Sequence, residues 1–458
     1  MQKDLPKPPS LIKTMGPTFI LLGLSLGSGE LILWPYLTAN YGLGLIWGAL
    51  LGITFQYILN TEVMRYTLYK GESVFLGFKR MGFLLPIWFI LATFIPWGIP
   101  GFSSAAAEII SSFLNIEFNI YIAIGVLILA GLILSSGKFL YNTVENIQKY
   151  IILTGVPFIF VLTLYLTNRS DWVAYVNGLV GKGDGYFLLP AGISIVAFLG
   201  AFAYSGAGGT LNLAQSYYVK EKGLGMGKYA TKISTLFSEK SKSVGIEGVE
   251  FADSKQNRKT WNKLWWSVNV EHFTIFWGLG FLTISILAIL SYSLLYGSNV
   301  QSGLTFLFAE VGQISSLTRT FFGTLFMLVA LIMLFSTQIG VLESTSRIIS
   351  ENALLLNYKK GKKLDLSKAF YYALWCQILL GSLIFFIGFT EPRLLLTLGA
   401  VLNAIAMAVS IPLVYILNKK TLKSYYQPTS WRKVLLLISF LFFTFFLAVV
   451  VKTNFLGF

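Results

Sequence analysis

The sequence predicts an all-α polytopic membrane protein of about eleven transmembrane helices, arranged as a 5+5 inverted repeat with broken helices 1 and 6. Three observations support this prediction. The chain of 458 residues is 55% hydrophobic but only 12% charged, about half the charged fraction of a soluble domain. Apolar runs of membrane-spanning length recur from end to end. Two of these runs, at corresponding positions in the two halves, are interrupted by glycine clusters.

The apolar runs define the predicted organisation of the chain. They begin near Met15, Leu43, Phe83, Ile120, Ile147, Leu188, Phe273, Thr320, Phe370, Leu394 and Val434. Residues 1–458 then form one membrane domain, with a first repeat over about 15–167, a second over about 188–418 and an extra helix over about 432–451. Five spans per repeat invert the second repeat relative to the first. We expect residues 219–266 to form a basic cytoplasmic loop that touches anionic lipid.

Charge sets the predicted orientation. Every second loop is rich in Lys and Arg, so the positive-inside rule places the N-terminus in the cytoplasm and the C-terminus outside. We expect a cell membrane of bacterial or archaeal type. The net charge of +15 is explained by these loops, so we expect membrane lipid as a partner but not nucleic acid. We also expect a monomer.

Catalytic motifs are missing from the sequence. It contains one histidine and one cysteine, Cys376, and it has no P-loop, dinucleotide-binding fingerprint or nucleophile elbow. We therefore expect neither enzymatic activity nor a cofactor.

The two glycine-rich interruptions are Gly27-Ser28-Gly29-Glu30 in the first span and Ser205 to Gly209 in the sixth. Glycine weakens a helix by about 1 kcal/mol relative to alanine, and unwound backbone at membrane depth persists only where it is buried in protein or lines a polar cavity. Paired interruptions of this kind indicate the central site of a secondary transporter. The candidate substrate- or ion-binding residues are Gly27, Ser28, Glu30, Ser205, Gly206, Gly209, Asn212 and Asn403.

Two intramembrane carboxylates are candidates for a proton path. Glu30 either caps a half-helix or binds a cation or proton, and with Asn212 it forms the predicted metal site. Glu108 in the third span has a functional or a structural pairing role. The remaining ionisable groups favour ordinary roles. We expect Glu145, Glu271 and Glu343 to be solvated near span ends, Glu343 to pair with Arg347 four residues on, and His272 to be either a polar anchor or a titrating group.

Several short segments resemble the Nramp metal-ion transporters. They are Gly16-Pro17, Tyr41-Gly42, Leu45-Ile46-Trp47, Gln56-Tyr57, Ala107-Glu108, Leu395-Leu396-Thr397-Leu398, Pro412-Leu413 and Asn418. The resemblance extends over most of the chain. It implies the inverted-repeat fold of the leucine transporter and its relatives within the amino acid–polyamine–organocation group, proton-linked uptake of divalent metals, and a place for Glu108 on the proton path.

The chain lacks the metal-site motifs of that family. The DPGN element falls on Gly27-Ser28-Gly29-Glu30, so Gly27 replaces the metal-binding aspartate and Glu30 the asparagine. The MPH element falls near Gly209-Thr210-Leu211, which removes the thioether and the histidine. A glutamine of the tenth span appears as Ala400 and an aspartate of the third span as Ala105.

The remaining oxygen donors favour a hard divalent cation such as Mg²⁺ or Mn²⁺ over a soft transition metal. The alternative is an ion-coupled carrier of a zwitterionic or cationic organic solute that resembles an amino acid. A third possibility is a sensor or scaffold derived from a carrier.

Overall fold

The helices follow from long apolar stretches that must satisfy their backbone hydrogen bonds internally. The computed structural model describes residues 3–136, 140–230, 246–298, 304–358 and 365–452, and in addition leaves out the side chains of Ile12, Lys13, Ser28 and Leu140. In these ranges, eight helices are long and apolar enough to cross a membrane. A shorter apolar helix and two interrupted helices bring the described spans to the eleven that the sequence predicts.

Spans are numbered along the chain. The six without an internal break are span 2 (Ile46–Lys70), span 5 (Leu140–Leu166), span 8 (Thr320–Leu356), span 9 (Leu366–Phe386), span 10 (Pro392–Thr421) and span 11 (Ser430–Val451), and span 4 (Ile120–Ser136) is shorter. Span 3 consists of Leu85–Gly98 and Gly101–Phe113, and span 6 of Ile195–Ala203 and Leu211–Lys222.

Spans 1 and 7 each contain a π-helix, in which hydrogen bonds run from residue i to residue i+5. Span 1 consists of Gly16–Gly23, the π-helix Leu26–Leu33 and Trp34–Tyr41. Span 7 consists of Lys255–His272, the π-helix Phe273–Leu279 and Gly280–Leu295. The other described elements are short: helices Leu11–Thr14, Val74–Met81, Arg169–Gly178 and Thr305–Leu317, 3₁₀ turns Leu43–Leu45, Gly225–Tyr229 and Ser424–Tyr426, and an antiparallel pair of strands, Lys182–Gly183 and Tyr186–Phe187.

The packing of the spans follows the predicted inverted repeat. Gly16–Gly23, the first part of span 1, packs against span 5, the last helix of the first repeat. Ile195–Ala203, the first part of span 6, likewise packs against span 10, the last helix of the second repeat. Span 11 lies outside this pairing and covers spans 10, 2 and 6.

The predicted loop over residues 219–266 is only partly a loop. Span 6 extends to Lys222 and span 7 begins at Lys255, while residues 231–245 lie outside the described ranges. The prediction of a loop was wrong for 255–266 because the many charges of this segment hide an apolar face. Trp261, Leu264 and Val268 on that face are buried.

This extension of span 7 packs on a small aromatic cluster that includes Tyr69, Phe251 and Tyr426. We predict that Leu264→Ala lowers the unfolding midpoint of the purified protein, because emptying a buried leucine site costs about 2–5 kcal/mol. The neighbouring Lys263 is exposed, and Lys263→Ala is the matched control. Equal midpoints for the two variants would contradict the packing described here.

Candidate substrate and ion site

The interruption of span 6 is an unwound segment, as the sequence predicts. Between Ala203 and Leu211 the chain leaves the helix, and the backbone reaches φ values of +77° at Gly208 and +49° at Gly209, which favour glycine. The side chain of Gln56 in span 2 spans the gap. It donates from Nε2 to the carbonyl oxygen of Ala203 at 3.1 Å and accepts from the Gly208 amide at 2.9 Å. Gln56 therefore satisfies backbone groups on both sides of the break.

Two asparagines flank this segment, and each has an amide oxygen to spare. Asn212 Nδ2 donates to Gln56 Oε1 at 3.2 Å, and Asn403 Nδ2 donates to the hydroxyl of Tyr204 at 3.0 Å. Both side chains are fully buried, and their Oδ1 atoms have no hydrogen-bond partner among the described residues. A Cβ atom at Gly209 would lie 1.9 Å from Asn403 Oδ1. Buried amide oxygens without a donor are suited to bind a cation or a donor group of a solute.

Ser205 and Gly206, also predicted at the site, have packing roles. The Ser205 hydroxyl accepts from Trp34 Nε1 at 2.9 Å and donates to the carbonyl oxygen of Ala201 at 3.0 Å. Gly206 leaves room for Gln56, whose Oε1 would lie 2.7 Å from a Cβ atom there. These two residues hold the break against spans 1 and 2.

The interruption of span 1 differs from the prediction. The sequence predicts unwound backbone at Gly27 to Glu30, but the α-helix ends at Gly23, a turn follows at Leu24 and Ser25, and the π-helix Leu26–Leu33 includes the glycines. A π-helix keeps backbone groups hydrogen-bonded, which avoids leaving them unsatisfied in a buried environment. The prediction of unwound backbone at Gly27 to Glu30 is therefore wrong.

The glycines of span 1 instead allow close contacts with two other spans. A Cβ atom at Gly29 would lie 1.8 Å from the carbonyl oxygen of Tyr204. Gly27 donates its amide hydrogen to Thr337 Oγ1 at 3.1 Å, and this hydroxyl donates to the carbonyl oxygen of Gly23 at 2.9 Å. The π-helix thus lies directly against the unwound part of span 6 on one face and against span 8 on another.

Glu30 is fully buried and faces span 7. Its Oε1 lies 2.5 Å from Ser25 Oγ and 3.9 Å from the position of a Cβ atom at Gly280, and its Oε2 has no hydrogen-bond partner among the described residues. The Ser25 hydroxyl also lies 2.7 Å from the carbonyl oxygen of Leu22. Ser25 therefore joins the Glu30 carboxyl group to the last turn of the preceding α-helix.

The predicted metal ligands have different neighbours. Glu30 contacts Ser25, whereas Asn212 contacts Gln56 and the carbonyl oxygen of Gly209. In the described ranges, no group of three or more His, Cys, Asp or Glu residues is placed to hold a metal ion. The predicted contribution of the Ser28 side chain falls outside the described residues.

Glu108, the other predicted proton-path residue, lies near one mouth of the protein. Its side chain is partly buried. The carboxylate of Glu391 is close enough to interact with it electrostatically, and the backbone of Leu304 forms a hydrogen bond with it. A cavity of about 320 Å³ opens on the same side, between spans 1, 6 and 10. Its lining includes Leu33 of the π-helix, and the Arg393 guanidinium lies 4.4 Å from the ring centre of Tyr36. The cavity therefore leads from this side toward the interrupted part of span 1.

Ion pairs connect the spans on the other side, where the basic loops lie. Arg347 of span 8 binds Glu343 on its own helix and Glu221 of span 6, and Lys222 binds Glu145 of span 5 at 2.7 Å. The predicted pairing of Glu343 with Arg347 is confirmed. The prediction that Glu343 is solvated is wrong, since its side chain is fully buried among these partners.

Glu271 and His272 are likewise buried, at 4% and 0% exposure, although the sequence places them near a span end. Predicting solvation for Glu271 was wrong because helical turns that the sequence assigns to a loop extend span 7 beyond them. Sequence reasoning assigned no role in the site to Gln56. The available signal was a polar amide side chain within an otherwise apolar span.

No protein-family model and no curated protein matches the sequence. A mutant of the Eremococcus coleocola manganese transporter is similar in structure, with a TM-score of 0.66 at 15% identity over 97% of this chain and 88% of that one. Mhp1, a nucleobase-cation-symport-1 family transporter, has a TM-score of 0.55 at 12% identity over 98% and 95%. MhsT in complex with L-phenylalanine has a TM-score of 0.53 at 14% identity over 96% and 98%.

We predict that Gly29→Ala destabilises the protein strongly, because the added methyl group would meet backbone at Tyr204 rather than a side chain that can rotate away. Overpacking of this kind costs about 1–3 kcal/mol or more. The measurement is the unfolding midpoint together with recovery from size-exclusion chromatography. Gly125→Ala is the matched control, since a Cβ atom there meets nothing within 4 Å. A Gly29→Ala variant as stable as the control would show that spans 1 and 6 do not touch here.

The structural similarities to the manganese transporter, Mhp1 and MhsT establish a common fold, but the sequence identities are too low to transfer a substrate. The chain therefore has the all-α transporter fold that these proteins share, and the predicted resemblance to Nramp transporters is confirmed at the level of the fold.

Proposed function

We propose that the protein is a secondary-active transporter of a divalent metal cation, with a hard ion such as Mg²⁺ or Mn²⁺ favoured. The observation that carries the proposal is Glu30, a fully buried carboxyl group at the interruption of span 1 with one oxygen unpartnered among the described residues. A carboxyl group in that environment is costly and indicates function. The likeness to a manganese transporter, at a TM-score of 0.66, supports the same class of cargo.

The donor atoms available in this region are oxygens. They comprise the Glu30 carboxyl group, the amide oxygens of Asn212 and Asn403, and the carbonyl oxygens of the span-6 break. Hard divalent ions bind such oxygens and keep part of their water shell, which suits a region where carboxylates are not clustered. A carboxyl group binds a divalent cation in its ionised form, so metal and proton compete for Glu30.

The difference between the two faces supports entry from outside. A cavity of about 320 Å³ lies on the side opposite the basic loops, while on the basic side the buried pair of Arg347 and Glu221 connects span 8 to span 6. With the basic side in the cytoplasm, the N-terminus is cytoplasmic, the C-terminus is outside, and this conformation receives cargo from outside. The membrane potential then favours inward movement of a divalent cation by about 4.6 kcal/mol per 100 mV. The proposal includes a monomer in a cell membrane that moves its cargo without chemical change.

Transport of an organic solute is the second candidate. The observation that favours it is the span-6 break, which offers neutral amides and glycine backbone rather than carboxylates. Such a segment allows the backbone or carboxylate of a small zwitterion to approach closely. Mhp1 with bromovinylhydantoin bound and MhsT with L-phenylalanine share the fold.

Uptake into liposomes distinguishes the two candidates. We predict that the wild-type protein accumulates Mn²⁺ or Mg²⁺ and that Glu30→Gln reduces this uptake at least tenfold, a change of about 1.4 kcal/mol or more in the transition-state free energy. Glu117→Gln, at an exposed loop residue, is the matched control and retains uptake. Binding is checked independently, because a cation that binds the folded form raises its unfolding midpoint.

Two results would contradict the metal proposal. One is a Glu30→Gln variant that transports every divalent ion as well as the wild type does. The other is a wild-type protein that is stabilised by amino acids, but by no divalent cation, and takes up only the amino acids.

A further inference from the structure

A second buried polar cluster lies between spans 1 and 7, apart from the residues of the span-6 break. Thr18 Oγ1 lies 2.8 Å from Glu271 Oε2 and 3.0 Å from His272 Nδ1. Thr18 and His272 are fully buried and Glu271 is 4% exposed. Glu271 Oε1 and His272 Nε2 have no hydrogen-bond partner among the described residues. One hydroxyl group therefore joins a buried carboxyl group to a buried imidazole.

The surroundings fix the imidazole ring in place. Its centre lies 5.7 Å from the ring of Tyr57 and 4.8 Å from that of Phe276, with interplanar angles of 19° and 5°. The π-helix Phe273–Leu279 begins at the residue after His272. Both aromatic rings lie nearly parallel to the imidazole ring, whose Nδ1 is directed at Thr18.

The charged and titratable groups around the cluster come from four other spans. The positive charge of Lys222 in span 6 interacts electrostatically with Glu271. Lys222 is itself paired with Glu145 of span 5 at 2.7 Å. Tyr57 belongs to span 2, and Arg432 of span 11 lies beyond it, bound to Asn269 at 2.5 Å. The positive charge of Lys222 is largely offset by Glu145, so no full counter-charge is committed to Glu271.

Two placements of the hydrogens turn both contacts of Thr18 into hydrogen bonds. The Thr18 hydroxyl has one hydrogen to donate, yet it makes two contacts. In one arrangement Glu271 is protonated and donates to Thr18, which donates to His272 Nδ1. In the other, Nδ1–H donates to Thr18, which donates to an ionised Glu271. When the carboxyl proton passes to the hydroxyl oxygen and the hydroxyl proton passes to Nδ1, the first arrangement becomes the second without a net change in protons.

We propose that Thr18, Glu271 and His272 form a proton-exchange site between spans 1 and 7, separate from the residues that bind cargo. The site connects the first part of span 1 to span 7, and the direction of its two hydrogen bonds depends on which group holds the proton. Moving or losing the carboxyl proton therefore reverses both bonds and leaves a charge on Glu271 between these two helices. The connection to transport rests on the proposed function, whereas proton binding does not.

The chain offers a direct measurement, since His272 is its only histidine. With ¹⁵N-labelled histidine and an affinity tag free of histidine, each ring nitrogen gives one assignable NMR signal. In the wild type we expect these signals to change with pH, because loss of the carboxyl proton from Glu271 favours the ring form that carries its hydrogen on Nδ1. Thr18→Val and Glu271→Gln should abolish or displace that shift, while Thr18→Ser, which keeps the hydroxyl, should restore it. Thr154→Val, at an exposed position on span 5, is the matched control and should leave the shift unchanged.

Two outcomes overturn the proposal. The first is a wild-type histidine spectrum that does not change with pH. The second is a Thr18→Val spectrum with the same pH response as the wild type. Because Thr18→Ser and Glu271→Gln examine the same cluster independently, a Thr18→Val protein that fails to fold does not prevent the test.

Uptake measurements separate this site from the cargo site. In Glu271→Gln we expect uptake to persist but to be no longer accelerated by an inward proton gradient, whereas Glu30→Gln loses uptake. If the wild type transports no divalent cation but its histidine signals titrate as expected, the proposed function fails and the proton site stands. If Glu271→Gln keeps the full response to the gradient, the link between this site and transport fails.

Discussion

The contact between Gly29 and the carbonyl oxygen of Tyr204 is the constraint on which the rest of the site depends. A Cβ atom at Gly29 would lie 1.8 Å from that oxygen, so only glycine allows the π-helix of span 1 to approach the unwound part of span 6. That approach places span 1 beside the unwound segment of span 6, to which Gln56 is hydrogen-bonded and which Asn403 contacts. It also fixes the rotation of span 1, which directs Glu30 toward span 7. The glycine therefore determines both how closely spans 1 and 6 approach each other and where the carboxyl group points.

Much of the architecture could be predicted from the sequence because hydropathy and loop charge determine it. The lengths of the apolar runs predict the spans and the inverted repeats. The glycine cluster, which cannot hold a helix, predicts the break in the sixth span. The conformation of span 1 could not be predicted in this way, because glycine permits both unwinding and close packing, and only the neighbouring Tyr204 and Thr337 decide between them. The burial of Glu271 was also beyond the sequence, since it depends on helical turns stabilised by contacts with distant aromatic residues.

The arrangement of charge gives the protein two unlike faces. On the basic side, Arg347 binds carboxylates from two spans in a fully buried position, and breaking a buried pair by removing one partner costs about 3–5 kcal/mol. On the opposite side, a cavity reaches Leu33, and the charged residues at its mouth are less enclosed. A carrier must be able to reverse such an asymmetry. Moving span 6 away from span 8 would break the pair of Arg347 with Glu221, so part of the cost of opening the basic side lies there.

The burial of Glu30 relates these features to one another. A neutral carboxyl group can remain in this wholly buried position without a counter-charge, whereas an unpaired ionised carboxylate is costly there. An ionised Glu30 would need a cation, water or rotation toward the polar segment of span 6. Loss of the proton and arrival of a cation are therefore mutually reinforcing, and each supplies what the other leaves uncompensated. The π-helix of span 1 therefore carries the one carboxyl group on which this exchange would act, directly beside the unwound part of span 6.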